Sequence, residues 1–95
     1  PLYIAACNGN LDVLQALVAA RADVNKALTT DGATPLFIAA QEGHLDVVKA
    51  LVAAGADVNK AMDDGTTPKR IAKHNNHTSI AAYLKSAGAK NSWGW

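Results

Sequence analysis

The side chains able to do chemistry are few: one cysteine, three histidines and eight carboxylates among 95 residues. A reactive thiol needs an electropositive surrounding, and Cys7 has no conspicuous basic companion, so it reads as an ordinary small residue. His74 and His77 stand three apart, a spacing that can put two metal ligands on one face. Asn75 and Asn76 are expected to end the helix between them, and no cysteine or carboxylate pattern completes a site. Glycine-rich phosphate loops, paired-histidine zinc helices and nucleophile elbows have no match in the sequence. The sequence therefore predicts a non-catalytic chain without metal or cofactor.

Charge and composition narrow the class further. With 49% hydrophobic and 18% charged residues, the chain is too apolar for disorder. No apolar run approaches the roughly 18–20 residues that span a bilayer, so no membrane role is expected. A single cysteine cannot form an internal disulfide, which favours a reducing compartment; the expected location is cytoplasmic, with the nucleus as the alternative. The net charge of +1 is unevenly spread: residues 1–30 are neutral, residues 31–63 carry −3 and residues 64–95 carry +4. The basic end lacks interleaved aromatics and any arginine cluster able to read bases, which argues against nucleic acid.

The elements that must position these residues come from an internal repeat. Shifted by 34, residues 1–27 fall on 35–61 with 20 of 27 positions identical; shifted by 33, residues 31–56 fall on 64–89 with 11 of 26 identical. The difference implies one extra residue in the loop 28–31. Each unit reads as turn, short helix, turn, helix. Thr34 can cap a helix whose first residue is Pro35, and Gly43 stops it. Leu45, Val48, Leu51 and Val52 then share a face at helical spacing until Gly55. Helices of about two turns do not stand alone in water, so they must stack into a solenoid. Alanine, 20 residues of 95, suits helices packed closely together.

The run from Asp31 to Asn59, D-G-A-T-P-L-F-I-A-A-Q-E-G-H-L-D-V-V-K-A-L-V-A-A-G-A-D-V-N, resembles an ankyrin repeat. The resemblance implies an all-α ankyrin-repeat solenoid of stacked antiparallel helix pairs with projecting β-turn loops. One domain is expected over residues 1–90, with repeats at about 1–30, 31–63 and 64–90 and a tail at 91–95 holding Trp93 and Trp95. The chain opens at Pro1, so a fragment of a longer array is expected, with an apolar first face at Leu2, Ile4, Leu14 and Val18.

Departures from the family pattern carry further expectations. Tyr3, Phe37 and Arg70 replace the family's histidine after Thr-Pro-Leu, and aromatic packing is expected in the first two repeats. Arg21 stands where Gly55 and Gly88 stand, at a site predicted to be left-handed. Lys69, Arg70, Lys73 and Lys85 replace Leu36, Phe37, Ala40 and Val52, as in a terminal capping repeat whose outer face meets water.

Function is expected to be protein binding on the concave side, where the resemblance places the turns and the short helices. The positions that differ among copies are the candidate contacts. In the short helices these are Asn8, Gln41, Glu42, His74 and Asn75; in the turns they are Thr29, Thr30, Asp31, Ala33, Asp63, Asp64 and Thr66. The charge of the central repeat favours a protein ligand with basic residues. The alternative is a structural or regulatory segment of a larger enzyme or effector with no ligand of its own. A monomer is expected, with the apolar first face as the route to any self-association. Asn25 and Asn59, each after Asp-Val with Leu17 and Leu51 eight residues upstream, also resemble the asparaginyl β-hydroxylation sites of ankyrin repeats.

Overall fold

Threonine and proline set the starts of the short helices in the second and third repeats, and left-handed residues follow the helix ends. A computed structural model describes residues 2–89. Its helices are α1 (Leu2–Asn8), α2 (Leu11–Ala19), α3 (Pro35–Glu42), α4 (Leu45–Ala53), α5 (Pro68–His74) and α6 (Thr78–Ser86). The Thr34 hydroxyl accepts from the Phe37 N–H at 3.3 Å, and that of Thr67 accepts from the Arg70 N–H at 3.1 Å. Each satisfies one of the orphan donors at a helix start, and the following proline has no N–H to satisfy. Gly43 ends α3 at φ 84°, and Asn76 takes the same left-handed conformation at φ 64° beyond α5.

The short helices stack α1 on α3 on α5, and the second helices stack α2 on α4 on α6. Alanine permits this: Ala6, Ala39, Ala40 and Ala72 are fully buried, and in the second helices so are Leu14 of α2, Leu51 of α4 and Leu84 of α6. Each buried leucine contributes about 1.5–3 kcal/mol. The apolar face of α4 differs from the expected one. Val47, Val48 and Leu51 are buried, whereas Leu45 and Val52 are only half-buried. A helix packed against α2, α3 and α6 has more than one inward face, so a single stripe misplaces Val47.

Two further expectations change. Lys69 does not meet water: it is 8% exposed and takes the place that the buried Leu36 has in the middle repeat. A lysine can occupy such a site because its aliphatic stem packs like leucine. Arg70, Lys73 and Lys85 are exposed, as a cap requires. Tyr3 does not pack as Phe37 does: Phe37, between two neighbouring pairs, is 3% exposed, and Tyr3, on the outer face of the first pair, is 44% exposed. Ile4 and Val13 in the first helix pair are also exposed, at 56% and 41%. Trp93 and Trp95 lie outside the described residues.

The register between repeats is set by histidine. The His44 ring lies over Gly9, where a Cβ would come within 2.5 Å of Nδ1, and its Nε2–H donates to the Cys7 carbonyl at 2.9 Å. His77 repeats this over Gly43, donating to the Gln41 carbonyl at 3.0 Å. On the loop side, Asn25 Oδ1 accepts from the Asp57 N–H at 2.7 Å while its Nδ2 donates to the Gly55 carbonyl at 3.3 Å. Asn59 Nδ2 donates to the Gly88 carbonyl at the same distance, 3.3 Å.

Arg21 has φ 66°, so the strain expected there is present. Arg21→Gly should raise unfolding free energy by about 0.5–1 kcal/mol in urea titration; a loss would reveal a stabilising role for the arginine side chain. Gly55→Ala should cost about 1 kcal/mol from its left-handed backbone alone, since a Cβ there meets nothing within 4 Å. Gly43→Ala should cost about 2–4 kcal/mol, because the methyl also collides with the His77 ring. Equal costs at the two glycines would show that the ring is not held against Gly43.

Candidate protein-binding groove

A groove of about 370 Å³ runs between the projecting loops and the short helices, drawing on all three repeats. Helical spacing supplies one wall: Tyr3 and Cys7 are one turn apart on α1, as are Phe37 and Gln41, and Ile38 and Glu42, on α3. The loops supply the other wall. In the first, Thr29 Oγ1 accepts from the Ala33 N–H at 3.1 Å, and the Ala33 carbonyl accepts from the Leu28 N–H at 2.7 Å. In the second, the Thr66 carbonyl accepts from the Met62 N–H at 2.9 Å. The two loops are joined by the Asp63 N–H donating to the Asp31 carbonyl at 2.9 Å.

Of the expected contact residues, Thr29, Asp31, Ala33, Gln41, Glu42, Asp64 and Thr66 line this groove. Asp63 borders an adjoining recess at the loop tips with Asp31 and Met62. His74 borders a separate shallow recess with Thr66, Arg70 and Ile71. Asn8 and Thr30 are exposed outside these hollows. Ala33 requires correction: at 4% exposure, with both backbone groups bonded within its loop, it is a wall rather than a contact. Asn75 is also committed to the stack, since its Nδ2 donates to the Gln41 carbonyl at 3.1 Å.

The carboxylates are not equivalent. Asp64 Oδ1 accepts from the Thr66 N–H at 2.9 Å, so this side chain holds its own turn. Asp31 and Glu42 are exposed, and among the described residues their carboxylates have no hydrogen-bond or ionic partner. Sequence reasoning did not single out the apolar lining of Tyr3, Phe37, Ile38, Met62 and Ile71. Met62 packs against the core, and it lines the groove as well. The available signal was helical: Tyr3, Phe37 and Ile38 each stand four residues before a varying position.

The Thr66 backbone N–H, helped by its side chain, holds the Asp64 carboxyl below the usual aspartate value, and Arg70 adds a smaller attraction. A depressed folded pKa means the bond is intact above the unfolded value and is lost as pH falls through the folded one. The Asp64 carboxyl and the Thr66 amide should therefore titrate together by NMR, with a midpoint below that of an unstructured aspartate. A midpoint at or above that value would mean the turn is not held by this carboxylate.

Among the described residues, no group of three histidine, cysteine, aspartate or glutamate side chains is placed to share a metal ion. No described helix is long and apolar enough to cross a membrane. A comparison with curated proteins finds no match. The model of the family described as ankyrin repeats matches residues 1–92 in three copies, in keeping with the three helix pairs. Helix pairs in register, loops projecting to one side and this match together place the chain in the ankyrin-repeat family.

Proposed function

We propose that this protein is a non-catalytic module that binds a protein ligand along its concave face. Ankyrin repeats generally serve as protein–protein interaction modules. One observation supports placing the ligand here: a groove with an apolar floor, built by three repeats, carries Asp31 and Glu42 with no partner among the described residues. Exposed carboxylates around apolar surface favour a ligand with basic residues and a salt-dependent association rate. The reading of Asn25 and Asn59 as hydroxylation sites rests on the family resemblance alone; mass spectrometry of protein from its native source tests it.

Asp64 is unsuitable for a binding test because its carboxylate holds the turn. Asp31→Lys combined with Glu42→Lys changes only exposed groups that have no partner among the described residues, so thermal unfolding should move by no more than about 0.5 kcal/mol. A ligand isolated by affinity capture from the native source should bind this variant at least about tenfold more weakly, chiefly through slower association. Gln15→Lys, exposed on α2, is the matched control and should bind normally. Normal binding by the double variant, with loss in the control, would move the site to the other side of the stack.

A further inference from the structure

The occupant's chemistry can be specified further, resting on the reading of this groove as the ligand site. We propose that the groove takes an extended peptide segment in which apolar side chains alternate with arginine or lysine. The groove offers about 370 Å³, room for a few inserted side chains.

Charge argues for cations. Asp31, Glu42 and Asp64 line the groove, and among the described residues no lysine, arginine or histidine does. An acidic segment would be repelled along its whole length. A bound metal ion is a poor alternative, because among the described residues no three such side chains are placed to share one. Carboxylates spread over two loops and α3 instead match separate cationic side chains spaced along a strand. Between them the surface is apolar. Tyr3, 44% exposed as a residue, can stack on a guanidinium or cover an aliphatic side chain. Met62 is half-buried, and its flexible thioether adapts to whatever side chain enters. In an extended strand successive side chains point to opposite faces, so apolar residues can meet the floor while cationic ones meet the acidic rim.

The test uses a short acetylated and amidated peptide of alternating leucine and arginine between glycine–serine ends. Two control peptides replace leucine by serine or arginine by glutamate. Two-dimensional NMR of the isotope-labelled full chain reads both site and affinity. The leucine–arginine peptide should give saturable shifts in residues 29–33, 41–42 and 62–66. Binding should weaken at least about tenfold in either control peptide, and in Asp31→Lys or Glu42→Lys. Equal binding of the glutamate control, shifts confined to α2 and α4, or no saturable shift would overturn the proposal. If a captured native ligand is lost in the double lysine variant while the peptide series shows no discrimination, the concave site stands and the occupant assigned here is wrong. If both fail, the site itself is wrong.

Discussion

A histidine ring seated on the glycine of the preceding repeat fixes how the helix pairs stack. At His44 the ring covers Gly9 and reaches the Cys7 carbonyl; at His77 it covers Gly43 and reaches the Gln41 carbonyl. Two features elsewhere follow from this contact. His44 and His77 occupy helix N-cap positions and make no capping bond, whereas Asn10, at the same place in the first repeat, caps α2 by accepting from the Val13 N–H at 3.2 Å. A side-chain cap stabilises by about 1 kcal/mol, which the histidines forgo to dock on the neighbouring repeat. Gly9 and Gly43 each receive a ring and have no room for a Cβ, while Asn76, in the same left-handed conformation, carries a full side chain.

The groove depends on that register. Its lining residues come from all three repeats, so each must be held at a fixed offset from the next before the surface exists. The ring contacts fix the offset at the short-helix end, and the Asp63–Asp31 backbone bond fixes it where the loops meet. Gly32 allows the loops to approach, since a Cβ there would lie 2.7 Å from Asp63 Oδ1. Backbone groups, histidines and asparagines therefore hold the register between repeats. Among the described residues the carboxylates of Asp31 and Glu42 have no structural partner, whereas that of Asp64 holds its turn.

Periodicity makes the fold legible in the sequence: Thr34–Pro35, Gly43 and the match of residues 1–27 to 35–61 mark helix starts, stops and the stack. Chain-local patterns are visible in sequence because capping and left-handed turns are local. Contacts between repeats are not. Val47 reads as lying off the apolar stripe of its own helix and is buried because a second helix packs on that side. Lys69 reads as solvated because of its charge, yet its stem fills a leucine's place. At the groove, variation between copies picked out Gln41, Glu42 and the turn residues, since stacking does not dictate them. It missed Phe37 and Ile38, which serve the core and the groove floor together. It also included Ala33 and Asn75, whose variation has structural reasons.

The central claim is that the His77 ring and Gly43 are in contact and that this contact sets the stack. A double-mutant cycle of Gly43→Ala and His77→Ala, read by urea unfolding, tests it most directly. If the ring occupies the space that the Gly43 methyl would need, removing the ring relieves the collision. The two changes should then be less damaging together than their sum, with a coupling of at least about 1 kcal/mol. Additivity within about 0.3–0.5 kcal/mol would show that the two groups act independently and would contradict the account.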